Sequence, residues 1–268
     1  METIPLQLLS RGEPAPVTIE RPRGRSPIVL TCEHGGKAVP ERLDLGIGPD
    51  DLEKHIGWDL GAAAVARDVS ARLDAPLVLQ TYSRLVIDCN RAPGSAGSIL
   101  AESDGIAVPG NRDIGETATR LRVEEVFQPY HDAIAALLDE RAVAGHPNIV
   151  VPIHSFTPTM NDAVRPWHVG IIYNRDPSFA RLLIAAARNG DLCIGENEPY
   201  SAADAVDYSF HVHGERRGTP HAMVEVRNDL IGDPAQQAVW GERLSGWLRE
   251  AVDGLAGTVA AVGGKRGG

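Results

Sequence analysis

His34 and His154 each follow an apolar, β-branched run, residues 28–32 and 149–153. Imidazole is the commonest protein ligand of metals, and hydrolytic zinc takes three protein ligands plus water. Two histidines at strand ends are therefore either hydrogen-bonded residues at the edge of a sheet or two ligands that need a third. Asp59 offers a carboxylate where the apolar-periodic stretch 60–73 begins. An acid in that place is either a helix N-cap or a ligand. Glu225 lies between Val224 and Val226 in a run that reads as a buried strand. Carboxylates are seldom buried unpaired. Glu225 is therefore ion-paired, with Arg227 on the same face two residues on, or it is a general base beside a water that zinc has acidified.

A third group, Arg84, Asn90 and Arg91, brackets the apolar residues 85–87. The planar guanidinium fork suits a carboxylate, and an Asn amide can donate and accept together. The plainer reading is surface ion pairing, above all for Arg84. Further along, the polar residues 196–201 precede His211, His213, Glu215 and His221, which either line a cleft or form a hydrogen-bonded loop cluster. His131 and His146 read as surface histidines of a helix and a loop. The phosphate-binding spacings GxGxxG and GxxxxGK[ST] are absent around Gly35-Gly36, and Gly94-Ser95-Ala96-Gly97 lacks GxSxG spacing.

The elements that must position these residues alternate. Strands are expected at 28–32, 77–80, 85–89, 149–153, 168–173 and 223–226, nearly all apolar, as in sheets covered on both faces. Helices are expected at 60–73, 116–143 with an interruption near Pro129, 178–188 and 234–252. That alternation predicts a three-layer α/β/α sandwich on a largely parallel mixed sheet. Such sheets bind ligands at the carboxyl ends of their strands, where the polar clusters above fall. Residues 92–111 read as a long Gly, Ser and Pro-rich loop of the lid or binding kind. One domain is expected, with residues 1–25 as an N-terminal extension and 263–268 disordered.

The 268 residues are 43% hydrophobic and 23% charged, ordinary for a globular chain. Net charge is −10, from 26 basic and 36 acidic residues, which disfavours a nucleic-acid partner. Cys32, Cys89 and Cys193 are odd in number and without a CxxC pair, so neither a disulfide framework nor a cysteine zinc ribbon is indicated. Glu2 and the lack of an apolar segment argue against a secretory signal, and no long apolar run implies a membrane span. A cytoplasmic protein is expected.

Seven stretches in order carry a resemblance: CEHGGKAVP (32–40), HIGWDLGAAAVA (55–66), YSRLVIDCNR (82–91), IHSFTP (153–158), RPWHVGIIYNRD (165–176), ENEPYS (196–201) and HGERRGTPHAMVEVRNDLI (213–231). Together they resemble the N-formylglutamate amidohydrolase family, whose fold is similar to that of zinc carboxypeptidases and aspartoacylase-like deacylases. The resemblance implies one zinc ion per chain, with His34 and His154 as ligands, and Glu225 as the base. It implies that Asn90 and Arg91, with Arg84, hold a substrate carboxylate, and that His213 and His221 flank the cleft. Where the related enzymes carry Glu three residues after the first His, this chain has Lys37. The second ligand is then expected to be Asp59, which follows Trp58, with Glu33 as the alternative. The implied activity is hydrolysis of an N-acyl amino acid at its amide bond. A peptidase sharing the site, or a metal-free protein that binds acidic metabolites, are the alternatives.

Overall fold

A computed structural model describes residues 7–160, 162–200 and 207–264. Along the chain the strands are β1 (Val17–Glu20), β2 (Ile28–Cys32), β3 (Leu77–Gln80), β4 (Glu102–Ser103), β5 (Ile106–Ala107), β6 (Ile149–Phe156), β7 (Thr159–Met160), β8 (Ala163–Val164), β9 (Val169–Ile172), β10 (Ile194–Glu196) and β11 (Met223–Arg227). The helices are α1 (Pro49–Leu52), α2 (Ala62–Leu73), α3 (Glu116–Arg122), α4 (Gln128–Val143), α5 (Ser178–Ala187), α6 (Tyr208–His213) and α7 (Pro234–Gly264).

Seven strands form one sheet in the order β1-β3-β2-β6-β11-β9-β10. The pairings β3/β2, β2/β6, β6/β11 and β9/β10 are parallel, whereas β1/β3 and β11/β9 are antiparallel. Successive side chains alternate between the faces. Ile28, Leu30, Val151, Ile153, Val224 and Val226 pack with α2, α5 and α7, while Val29, Val78 and Val150 pack with α4. The expected three-layer α/β/α sandwich is thus present.

The run 85–89 is not a strand. Leu85 packs with Leu45, Ile56 and Val108, and Val86, Ile87 and Cys89 enter the core over α4, yet the backbone turns through Ser83–Val86 and Asp88–Arg91 hydrogen bonds. Burial made the residues apolar without requiring a ladder. The helical stretch 116–143 is continuous, but Val123–Phe127 widens to a π-turn just before Pro129. Proline has no N–H to donate there, and π-turns absorb such interruptions. β1 joins the sheet from within residues 1–25, and β4 and β5 make a small hairpin within the long loop 92–111. α7 runs through Gly264, past the expected end at 252, and residues 265–268 lie outside those described.

The turn into α2 sets the position of Asp59. Gly61, not Asp59, is the N-cap, at φ +78°, where a Cβ would collide with the Ile231 carbonyl. Asp59 is thereby left outside the helix with its N–H bonded to the His34 carbonyl at 2.9 Å.

Candidate active site

At the carboxyl ends of β2, β6 and β11 lies a cavity of about 500 Å³. His34, Asp59 and His154 form its buried floor, and their ligand atoms lie within 4.8 Å of one another. Glu225 is in register with His154 across β11/β6, so both side chains leave the same face of the sheet. On its other side Glu225 is in register with Gly170 of β9. A Cβ at Gly170 would run into the Glu198 carbonyl, and one at Gly195 would crowd it at 2.7 Å. The missing side chains let the turn Glu198–Tyr200 come down over the sheet and form a wall of the cavity.

Both histidines turn Nδ1 toward Asp59 and Nε2 toward a further acid. His34 Nδ1 is 3.4 Å from Asp59 Oδ1, and its Nε2 is 2.7 Å from Asp88 Oδ1. His154 Nδ1 is 2.8 Å from Asp59 Oδ2, and its Nε2 is 2.9 Å from Glu33 Oε2, at an angle short of a hydrogen bond. His34 Nδ1 is buried and lacks a hydrogen-bond partner. Metal-ligating histidines characteristically give their other ring nitrogen to a carboxylate, which fixes the tautomer. Two nitrogens and one oxygen at this spacing, each ring steadied from behind, fit a metal ion. Glu33 stands behind His154 and is not one of the three.

Electrostatics follow from this packing. Burial opposes ionisation of Asp88, but His34 and Arg84 outweigh it and hold the acid well below the usual carboxylate range. Glu33, equally buried, is brought to about 2, chiefly by His154. Burial would discharge His154, yet Asp59 and Glu33 hold its pKa well above the usual histidine value. Glu225 is the exception. Burial, with the neighbouring charges of Asp59 and Asp207, pushes it up to about 8 against the pull of His154 and Arg84. Among the described residues it makes no hydrogen bond or ion pair, and Oε2 is fully shielded. Arg227 does not pair with it, because its guanidinium is held by Asp229 at 2.8 Å and by the carbonyls of residues 165–167.

The turn at residues 83–91 delivers Arg84 and Asp88 to the same place. Arg84 bonds Asp88 at 2.7 Å and reaches Asp59 at 3.5 Å. In a strand, residues four apart would be separated by about 13 Å. Asn90 and Arg91 also line the cavity, but they grip the start of α6. Asn90 Nδ2 donates to Asp207 Oδ1 at 2.9 Å, and its Oδ1 accepts from the Ser209 N–H. Arg91 bonds the same Asp207 oxygen at 3.0 Å. Asp207, which sequence reasoning did not single out, carried no periodic or motif signal.

His213 and His221 are not brought to this cavity. His221 lines a separate cavity of about 190 Å³ with Glu215 and His211, and stacks on Phe210. Its neighbours His211 and Glu215 are hydrogen-bonded to each other at 2.7 Å, the loop-cluster alternative. His213 is buried against His131, Nε2 to Nδ1 at 3.0 Å, and His131 Nε2 donates to the Cys89 carbonyl at 2.8 Å. His131 is therefore a core residue and not the surface histidine its sequence context suggested.

Burial lowers His131 to about 4 and His213 to about 3. Both are neutral in the fold, whereas the unfolded chain takes up protons near pH 6.5. Their contribution is present above that pH and is lost as pH falls toward 4, by about 3 kcal/mol for His131 alone. His131→Gln, which can still donate to Cys89, is expected to flatten the fall of Tm between pH 7 and pH 4.5. An unchanged slope would place acid sensitivity elsewhere.

The sequence matches the family model of N-formylglutamate amidohydrolase over residues 26–232. The chain belongs to that family. A crystal structure of a gene product from Agrobacterium tumefaciens is 33% identical, with a TM-score of 0.91 over 93% of this chain and 100% of that one. An N-formylglutamate amidohydrolase from Ralstonia eutropha is 19% identical and shares the fold, with a TM-score of 0.66 over 88% of this chain and 97% of its own. None of the curated proteins matches the sequence. Family membership makes the chain an amide hydrolase by descent, and the cavity at the ends of β2, β6 and β11 is where its chemistry-bearing residues converge. Among the described residues no helix is long and apolar enough to cross a membrane.

Proposed function

We propose that this member of the N-formylglutamate amidohydrolase family cleaves the amide bond of an N-acyl amino acid, with zinc held by His34, Asp59 and His154. The observation that carries the reading is Glu225, a buried acid with no hydrogen-bond or ion-pair partner among the described residues, in register beside a compact two-histidine, one-aspartate group. When bound, the ion supplies a Lewis acid that acidifies water and polarises a carbonyl oxygen.

The chain's own groups do the rest. In its ionised form Glu225 takes the proton of the attacking water and returns it to the leaving amine, as a base and then an acid. Its apolar flanks, Val224 and Val226, belong to the core and keep its backbone fixed. Arg84, tied to Asp88, projects a cation next to Asp59 and Glu225, where negative charge builds on the acyl oxygen. The family name supports a formyl group.

Glu33 positions His154, since its carboxylate meets the ring nitrogen that faces away from Asp59. Glu33→Gln is expected to weaken zinc binding about 10- to 100-fold in competition with a chromogenic chelator. Unaltered affinity would reduce Glu33 to a packing role. The reading as a whole is tested by assaying zinc-loaded protein against N-formyl amino acids and dipeptides. Release of formate supports the amidohydrolase, dipeptide cleavage alone would favour a peptidase, and no turnover of either would overturn amide hydrolysis.

A further inference from the structure

An N-acyl amino acid brings a carboxylate, and that anion needs a cation without a competing acid. Arg84 is spent on Asp88 and Asp59, Arg91 is bound to Asp207, and His55 meets Asp104 at 3.1 Å. Each of these already answers a carboxylate of the chain, so a substrate anion there would share its cation with an acid.

Arg165 differs. Among the described residues it contacts no acid. Its Nη1 donates to the Tyr200 hydroxyl at 3.1 Å and to Thr157 Oγ1 at 3.4 Å, and its Nη2 meets Met160 Sδ at 2.8 Å. A thioether is a weak acceptor, so the guanidinium keeps strong donor capacity in reserve. Its Cζ lies 4.9 Å from the centroid of the Tyr200 ring and 5.9 Å from that of Phe156, and both rings hold it by cation–π attraction. Thr157, Met160, Phe156 and Tyr200 all line the cavity. The Arg165 N–H bonded to the Pro158 carbonyl closes the β7–β8 hairpin and fixes the base of the side chain. Arg165 stands directly behind that lining, a half-buried cation held in place by neutral groups, beside a cavity whose own cations are already paired.

From this charge distribution we infer that Arg165, rather than Asn90 and Arg91, binds the substrate carboxylate, with the Tyr200 hydroxyl as its partner at the cavity wall. The inference rests on the amide-hydrolase reading of the same cavity. An anion drawn to the β7–β8 and Glu198–Tyr200 side of the cavity leaves the acyl end of the molecule over His34, Asp59 and His154, beside Glu225. Substrate orientation then follows from which wall carries the unspent cation. A guanidinium presents its donors as a fork, and replacing it with an ammonium keeps the charge but not the paired donation.

The test compares wild type, Arg165→Met and Arg165→Lys, zinc-loaded, on N-formyl-L-glutamate and on the two compounds in which either carboxylate is replaced by an amide. Loss of a charged hydrogen bond predicts a rise in KM of about 10- to 100-fold for Arg165→Met, with kcat changed little. That rise is expected to disappear with the amide lacking the contacted carboxylate, and Arg165→Lys is expected to recover part of it. An equal loss on all three compounds would assign Arg165 a purely structural role and overturn the inference. Calorimetric titration of N-acetyl-L-glutamate into the same proteins separates this from the activity itself. Wild type without turnover that binds at least tenfold tighter than Arg165→Met sinks amide hydrolysis and keeps the Arg165 assignment. Equal binding, or none, sinks the assignment.

Discussion

Glu225→Gln is expected to abolish turnover, by about a thousandfold or more, while zinc content stays at the wild-type level and thermal stability is unchanged or higher. A positioned base contributes about 10²- to 10⁴-fold. The three proposed ligands do not include Glu225, so its replacement leaves the donor set complete. The stability half of the expectation comes from packing. Glu225 forms no ion pair or hydrogen bond among the described residues, so the neutral amide breaks nothing and removes a buried acid whose ionisation the fold opposes. Activity falling while Tm holds or rises is a pattern that a misfolded variant cannot imitate. Turnover within tenfold of wild type would move the base elsewhere.

His34→Ala and His154→Ala are both expected to reduce bound zinc from about one ion per chain to a small fraction, read by elemental analysis of protein purified without chelator. They are expected to differ in the stability of the zinc-free protein. Removing His34 leaves Asp88 with Arg84 and leaves Asp59 with His154. Removing His154 strands Glu33, whose carboxylate has no other ion-pair partner among the described residues. Breaking a buried pair from one side costs about 3–5 kcal/mol, so His154→Ala is the more damaging of the two in thermal denaturation. Retention of zinc by either variant would refute the ligand set. The reverse order of stability would show that Glu33 is accommodated by other means.

Much of this architecture was legible because the central strands are apolar through their length and end in polar residues. The runs at 28–32, 77–80 and 223–226 needed both faces covered, and the helices that cover them followed from periodicity. His34, Asp59, His154 and Glu225 stood out by contrast with such surroundings, and the structure gathers all four. Two kinds of feature escaped. β1 is a four-residue edge strand whose two central residues, Thr18 and Ile19, are both exposed, so no buried apolar run marks it as part of the sheet. The residues 85–89 show the opposite failure, because an apolar segment can be buried as a succession of turns. Only that irregular path lets Arg84 and Asp88 meet. Arg91 and Asn90 matched a carboxylate-binding pattern, but the Asp207 that occupies them sits 116 and 117 residues away in the sequence. Pairing across such a distance leaves no local trace, and neither does the absence, among the described residues, of an acid around Arg165.

The register of β9 against β11 has a further implication for how this cavity could change. On the proposed reading, reaction and recognition are carried by separate pieces of chain. The ends of β2, β6 and β11 bring the reacting groups, and the β7–β8 hairpin with the Glu198–Tyr200 turn brings the opposite wall. The Glu198–Tyr200 turn settles into space kept open at Gly170 and Gly195. A methyl group at Gly170 would lift that wall while leaving His34, Asp59, His154 and Glu225 where they are. The altered protein would be indiscriminate rather than inert, and new substrate preferences could be explored in the wall without risk to the chemistry beneath it.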